Sequence, residues 1–166
     1  MTARALMKIG VISDTHTNSL DRLPRKLLDE LSGTDLIIHA GDYTEKKLLD
    51  DLRNLGRFVG VYGNMDSWEI RRELPAIENI DAAGFRIGLN HPAEGGAPFD
   101  LEKRLRPKFK EVHVIVYGHS HQTKNEVKDG ILYFNPGSAT GTFPALKKTF
   151  GILYIEKEVR SEIIKL

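Results

Sequence analysis

Residues 7–16, Met-Lys-Ile-Gly-Val-Ile-Ser-Asp-Thr-His, are the stretch that decides the fold of this 166-residue chain. Residues 7–12 form an apolar run bounded by polar residues, which is typical of a buried strand. Asp14 and His16 follow at once, and side chains two residues apart on an extended backbone point the same way. The stretch therefore predicts a buried strand whose carboxyl end offers two polar side chains to one ligand.

Four further predicted strands end in the same manner. A glycine comes directly before three of the polar residues that follow these strands, and glycine permits a sharp turn with close backbone approach. In open α/β sheets, ligands sit beyond the carboxyl ends of the strands. We therefore expect the two side chains above to meet five more, which are Asp42, Asn64, His91, His119 and His121.

Seven side chains of these types suit a pair of metal ions. Two ions about 3.5–4 Å apart would share one carboxylate, and four histidines favour Mn, Fe, Ni or Zn over a site made for Mg alone. Two divalent cations, two Asp carboxylates and one bridging hydroxide leave about one net positive charge, which suits an anionic phosphate ester. Any single Asp or His near a strand end is ordinarily a surface or capping residue. The coincidence at five strand ends is what favours a metal centre.

His39, inside a strand, is predicted to orient Asp42 rather than to bind metal.

The order of the predicted elements indicates one α/β domain over residues 1–166, with residues 1–6 as an N-terminal appendage. Strands and helices alternate at first, which favours parallel pairing, and consecutive strands follow, which favour antiparallel pairing. Two mixed β-sheets with helices are the natural packing solution. The predicted helices are 24–31, 45–54, 67–72 and 99–105, and the predicted strands are 7–12, 35–39, 57–62, 77–80, 85–89, 112–117, 125–127, 131–134, 151–156 and 159–164.

Composition narrows the class of protein. The formal net charge of +1 argues against a general affinity for nucleic acid or anionic membranes. No apolar run approaches the ~20 residues that span a bilayer, and the start of the chain does not resemble a secretory signal. The absence of cysteine excludes disulfides and thiolate–metal sites. We therefore expect a cytoplasmic protein.

Five short motifs occur in a fixed order along the chain, namely Asp14-Thr15-His16, Gly41-Asp42, Gly63-Asn64, His91 and Gly118-His119-Ser120-His121. Together they resemble the calcineurin-like metallophosphoesterase superfamily. The short length, the Gly-Asn-Met-Asp sequence at residues 63–66 and the Asn-Pro-Gly-Ser turn at residues 135–138 look like its small YfcE-type phosphodiesterase branch. The resemblance extends from about residue 7 to the end.

The resemblance implies a four-layer αββα sandwich of two mixed β-sheets flanked by helices. It implies that Asp14, His16, Asp42 and His121 hold one divalent metal, and that Asp42, Asn64, His91 and His119 hold the other, so that Asp42 bridges them. Manganese is the expected metal, with Ni, Fe or Zn as alternatives. The implied reaction is hydrolysis of phosphate esters, chiefly diesters, by in-line attack of a metal-bridging hydroxide. The expected partner is a small phosphoester, without membrane or specific nucleic acid, and the family makes homo-oligomers plausible.

Two positions depart from the family pattern. Met65 stands where the family usually has a histidine that assists the leaving group, and methionine cannot transfer a proton. Asp66, predicted to act in catalysis together with Asn64, could supply that proton if its pKa were raised, or it could cap the short helix that follows. Pro92 stands where the family often has glycine, so that His91 must reach the metal from a stiffer loop. Glu94 is an alternative ligand.

Two other functions compete with the enzymatic one. The retromer scaffold subunit has a similar fold and a similar Asn-Pro-Gly-Ser-Ala-Thr-Gly turn, which this chain carries at residues 135–141. A scaffold, however, has no need to keep seven competent ligand positions. A nuclease is disfavoured by the near-neutral charge and by the lack of an aromatic and basic groove signature.

Overall fold

The computed structural model describes residues 5–92, 94 and 96–166. The predicted appendage at residues 1–6 therefore lies outside the described part, except for residues 5 and 6, which precede the first strand. None of the described helices combines the length and the hydropathy needed to cross a membrane.

The first sheet contains five strands in the order β10-β9-β1-β2-β3. Strands β1, β2 and β3 run parallel to one another, β9 is antiparallel to β1, and β10 is antiparallel to β9. Because β1, β2 and β3 are parallel, their carboxyl ends lie at one edge of the sheet and bring the motifs of Asp14, Asp42 and Asn64 together there. The bounds are β1 Met7–Ile12, β2 Leu36–His39, β3 Phe58–Gly60, β9 Thr149–Ile155 and β10 Val159–Lys165.

The second sheet contains five strands in the order β4-β5-β6-β8-β7. Pairs β4–β5 and β7–β8 are antiparallel, as expected for consecutive strands, but β8 also pairs parallel with β6. The different burial of β7 and β8 explains why β8 lies between β6 and β7. Every residue of β8 is buried, whereas β7 is mostly exposed and occupies the edge of the sheet. The bounds are β4 Ile77–Ala82, β5 Phe85–Asn90, β6 Val114–Tyr117, β7 Thr123–Lys128 and β8 Ile131–Pro136.

Helices cover the outer face of each sheet. Helices α1, α2 and α3 pack on the first sheet in one apolar cluster, and α4 packs on the second sheet in another. Alternate side chains of β1 pack into different layers, since Ile9 and Val11 face the second sheet whereas Ile12 faces the helices. The helices are α1 Arg25–Ser32, α2 Lys46–Leu55, α3 Trp68–Glu73 and α4 Leu101–Leu105, and short 3₁₀ turns lie at Leu20–Arg22 and Arg106–Lys108.

The predicted four-layer αββα class is confirmed, with two mixed sheets between helices. Most element bounds differ from the predicted ones by one or two residues. The last of these helices ends at Leu105, as predicted, and the 3₁₀ turn Arg106–Lys108, which contains Pro107, follows directly. Proline fits the start of this turn because its missing N–H has no helical partner there.

Candidate metal centre

The structure brings the seven predicted ligand side chains to one place between the carboxyl ends of both sheets. The first sheet supplies those that follow β1, β2 and β3, and the second sheet supplies those that follow β5 and β6. The four from the first sheet are Asp14, His16, Asp42 and Asn64, and the three from the second sheet are His91, His119 and His121.

Four of these side chains form one compact group. His121 Nε2 lies 3.2 Å from His16 Nε2 and 3.3 Å from Asp14 Oδ1, and His16 Nε2 lies 3.5 Å from Asp42 Oδ2. One ligand atom from each of the four lies within 4.8 Å of the other three. Ligand atoms bonded to one cation at about 2.0–2.2 Å lie no more than about 4.4 Å apart, and the three contacts above meet this limit. The four side chains can therefore converge on one divalent ion.

A second group shares a member with the first. Asn64 Oδ1 lies 3.0 Å from His91 Nε2 and 3.0 Å from His119 Nδ1. His91 Nε2 also lies 3.4 Å from Asp42 Oδ2. The same carboxylate oxygen of Asp42 thus faces a histidine of each group.

The donor set fits cations at its centre. Asp14 Oδ1 is a fully buried oxygen without a hydrogen-bond partner among the described residues, which is costly unless a positive charge compensates it. His121 Nδ1 donates to the carbonyl of Thr142 at 2.9 Å, and His91 Nδ1 donates to the carbonyl of Ala40 at 2.8 Å. A carbonyl only accepts, so both Nδ1 atoms carry the proton and, in a neutral ring, each Nε2 turns a lone pair toward the carboxylates.

The electrostatics of the centre also favour positive charge. Burial opposes protonation of His91, but its hydrogen bond to Asp42 and the charges of Asp14 and Asp42 raise its pKa to about 9. Burial likewise opposes protonation of His121, whose pKa is nonetheless raised by Asp14. Burial lowers the pKa of His16. A proton on His91 therefore partly offsets the charge of Asp42 at neutral pH in the metal-free protein, and a bound cation would displace it.

Backbone strain is concentrated at the same residues. A left-handed backbone costs about 1–3 kcal/mol for a residue other than glycine and is typical of functional sites. The loops are held in place between strands, with Asp14 N donating to the Gly41 carbonyl at 3.0 Å and His16 N to the Asp42 carbonyl at 3.1 Å. Five of the seven ligand residues have positive φ, namely Asp14 (50°), His16 (41°), Asp42 (61°), His119 (83°) and His121 (58°).

His39 connects two of the ligand loops. Its Nδ1 accepts from the backbone N–H of Gly41 at 3.1 Å, so its Nε2 carries the proton and donates to Thr15 Oγ1 at 2.9 Å. Burial holds the pKa of His39 well below its ordinary value, and the ring stacks on Tyr43 at 3.7 Å between centroids. His39 is therefore a neutral brace between the loops of Asp14 and Asp42.

The turn at residues 135–141 supports the centre from the other side. Ser138 Oγ donates to the carbonyl of Asp14 at 2.7 Å, and Thr140 Oγ1 donates to the carbonyl of Thr15 at 2.8 Å. Sequence reasoning missed this role, because the residue types indicate only a turn and the contacts span 124 and 125 residues.

Pro92, the second departure from the family pattern, does not keep His91 away from the other ligand residues. His91 reaches Asn64 and Asp42 despite Pro92, as the distances above show. Glu94, the alternative ligand, instead forms ion pairs with Lys108 and with Arg104.

Asp66 does not cap the helix that follows it, so that alternative is wrong. The cap of α3 is Ser67, whose side chain accepts from Ile70 N. Asp66 is buried, and its carboxylate accepts from the backbone N–H groups of Gly63 at 2.7 Å, Asp42 at 3.0 Å and Thr44 at 2.8 Å. Burial, the largest influence on it, raises its pKa. Three N–H donors nevertheless require acceptor oxygens, so the hydrogen bonds favour the ionised form.

Substitution Gly63→Ala is expected to weaken metal affinity by about 10–100-fold. A Cβ at this position would lie 2.0 Å from Asp42 Oδ1 and 2.5 Å from Asp42 N, so the carboxylate must move. Metal content after dialysis measures the effect, with far-UV circular dichroism to confirm folding. Gly33→Ala is the control, since its φ is −93° and its nearest neighbour atom is 3.6 Å away. Full metal content in Gly63→Ala contradicts the prediction.

Comparison with known proteins agrees with this geometry. The chain matches the model of the calcineurin-like phosphoesterase superfamily domain over residues 7–158. It is 38% identical to a probable metallophosphoesterase of Methanocaldococcus jannaschii, over 96% of this chain and 82% of that protein. The solved structure of an archaeal phosphodiesterase is 27% identical with a TM-score of 0.73, covering 95% of this chain and 100% of that one. Vps29 of Entamoeba histolytica, solved with zinc, is 25% identical with a TM-score of 0.69, covering 96% of this chain and 99% of that one. These matches confirm the predicted family, and the chain belongs to the calcineurin-like phosphoesterase superfamily.

Proposed function

We propose that this protein is a phosphodiesterase that works with two divalent metal ions held by its seven clustered side chains. The observation that carries the proposal is the position of Asp42 Oδ2, 3.5 Å from His16 Nε2 and 3.4 Å from His91 Nε2. One carboxylate oxygen shared by two ligand groups is the arrangement that a dinuclear centre needs. Two such ions would lower the pKa of a bound water toward ~7 and would neutralise charge on phosphoryl oxygens.

The protein's own groups have distinct roles in this proposal. Asp14 and Asp42 hold the positive charge in a buried setting, where their interaction with it is strong. Asn64 would offer Oδ1 to the second ion, and its amide N–H₂ group, which is a hydrogen-bond donor, would then be the group that donates to a phosphoryl oxygen. Catalysis by Asn64 and proton donation by Asp66 stay predictions, and the hydrogen bonds of Asp66 favour a role in holding the loops that carry Asp42 and Asn64.

A hollow beside the centre suits a small organic ester. It has a volume of about 310 Å³ and is lined by His121, Gln122, Thr123, Leu146, Lys147 and Thr149. Leu146 is 96% exposed, so an organic substituent that contacts it gains apolar contact at little cost. The amine of Lys147 carries a charge opposite to that of a phosphate ester.

The direct test is hydrolysis of an aryl phosphodiester by protein loaded with Mn, together with elemental analysis of the purified protein. We expect turnover that depends on added metal and is lost with a chelator. Absence of turnover of aryl diesters and monoesters with Mn, Ni, Fe and Zn would overturn the proposal and favour a scaffold.

The scaffold alternative rests on the similarity to Vps29 and on the turn at residues 135–141. In this chain that turn has a use at the metal centre, because Ser138 and Thr140 hold the backbone of Asp14 and Thr15. The turn therefore does not distinguish a scaffold from an enzyme, whereas the complete ligand set favours the enzyme.

Rates should depend steeply on the leaving group, since Met65 replaces the histidine that would protonate it. Across aryl methyl phosphates whose leaving groups have a pKa from about 7 to about 10, we expect kcat/KM to fall by about 10²-fold, the least that general acid catalysis ordinarily contributes. Steady-state kinetics at fixed pH and metal concentration measure the slope. Equal rates across the series contradict the prediction.

Several finer points of the proposal are predictions from the sequence. They are manganese as the native metal, a single domain over residues 1–166, a cytoplasmic location and the lack of a specific nucleic acid partner, and the family also makes homo-oligomers plausible.

A further inference from the structure

Two side chains outside the ligand set hold the loop that carries Asn64. The first is Asp66. Its Oδ2 accepts from Gly63 N and from Asp42 N, and its Oδ1 accepts from Thr44 N. One carboxylate therefore fastens the loop after β3 to the loop after β2.

The connection between the two loops is reciprocal. Asp42 Oδ1 accepts from the backbone N–H of Met65 at 2.8 Å, while the backbone N–H of Asp42 donates to Asp66 at 3.0 Å. Each loop thus contributes a carboxylate to the backbone of the other. Because Met65 occupies Oδ1 of Asp42, the other oxygen is left to face His16 and His91.

The second side chain is Arg71, which reaches the same loop from helix α3. Its Nη2 donates to the carbonyl of Asn64 at 2.7 Å, and its Nε donates to the carbonyl of Asp66 at 3.0 Å. The guanidinium lies over the ring of Tyr62 at 5.2 Å from the centroid. This planar fork fixes two carbonyls at once, which the single ammonium of a lysine does not reproduce.

We propose that Asp66 and Arg71 are positioning residues for the second metal, acting through the placement of Asn64 and Asp42. Neither side chain contributes a ligand atom to the two groups described above. The inference gives Asp66 a purpose that needs no proton transfer, and it rests on the proposed two-metal function. Partners of this kind typically change metal affinity by about 10–100-fold when they are removed.

The test is titration of metal-free protein with Mn²⁺, followed by calorimetry and by electron paramagnetic resonance. Arg71→Gln should weaken binding of the second ion by about 10–100-fold, leave the first ion unchanged, and remove the signal of coupled Mn pairs at stoichiometric loading. Arg72→Gln is the matched control, because Arg72 lies on the same helix and stacks on Trp68 at 5.2 Å. The control should bind both ions as the wild type does.

Asp66→Asn provides the second arm. An asparagine turns an N–H₂ group toward backbone N–H donors, so the second ion should again bind more weakly. Were Asp66 instead an acid for the leaving group, Asp66→Asn would bind two ions normally and make the dependence on the leaving group steeper.

The outcomes separate this inference from the proposed function. A wild type that binds only one ion overturns both. A wild type that binds two ions, with unchanged second-ion affinity in Arg71→Gln and in folded Asp66→Asn, overturns the positioning role alone. Arg71 is exposed, so its variant keeps the test decisive even where Asp66→Asn fails to fold.

Discussion

Replacing Asp42 by asparagine is expected to lower kcat/KM by at least about 10³-fold, because the centre loses the oxygen that both ligand groups share. The hydrogen bond from Met65 N fixes how the new side chain sits, since only a carbonyl oxygen can accept it. The amide N–H₂ then faces the Nε2 atoms of His16 and His91, where a metal ion belongs. The variant therefore loses one negative charge and gains a blocking donor at the same point.

Metal analysis and kinetics check this prediction together. Folded Asp42→Asn should retain less than one ion per chain after dialysis, whereas Asp29→Asn serves as a control in an exposed ion pair with Arg25. Two ions and near wild-type turnover in Asp42→Asn are the results that would refute a bridging role.

Removing the metals is expected to lower the melting temperature by about 5–10 °C relative to protein at 100 times the dissociation constant. Ligand binding at that concentration stabilises the native state by about 2.7 kcal/mol, and each kcal/mol corresponds to about 2–4 °C for a chain of this size. The physical reason is that the buried carboxylates of Asp14 and Asp42, including the unpartnered Asp14 Oδ1, meet more positive charge in a divalent cation than in protons on the neighbouring histidines.

Thermal melts of chelator-treated protein, with and without MnCl₂, measure this shift. The Asp42→Asn variant is the control, and its melting temperature should respond much less to the metal. A wild type whose melting temperature is the same at all Mn concentrations up to the millimolar range contradicts the prediction.

The seven ligand residues could be predicted from the sequence because each strand and the polar residue after it are neighbours in the chain. The supporting role of His39 could be predicted for the same reason, since His39 lies two residues before Gly41. The hydrogen bonds that support these loops could not be predicted. Thr140, for example, donates to the carbonyl of Thr15 across 125 residues, and no local sequence pattern indicates such a contact. The sequence pattern also left Asp66 as either a proton donor or a helix cap, and the cap is excluded only by the structure, in which Ser67 caps the helix and Asp66 accepts from three backbone amides.

The position of β8 was equally beyond local reasoning. Turn signals between β7 and β8 indicate a hairpin, and the hairpin exists. Which of its strands joins the rest of the sheet depends on burial against α4 and the opposite sheet, which is a property of the whole fold.

The predicted ligand residues come from both sheets, and this division has a consequence for how the protein unfolds. An ion held by Asp14 and His121, or by Asn64 and His119, acts as a cross-link between halves that are far apart along the chain, and such links reduce the entropy of the unfolded state when they survive in it. More directly, in the proposed two-metal centre neither half would open without releasing the ions. Metal occupancy should therefore couple hydrogen exchange in β1 and β6, so that the two sheets open as one cooperative unit.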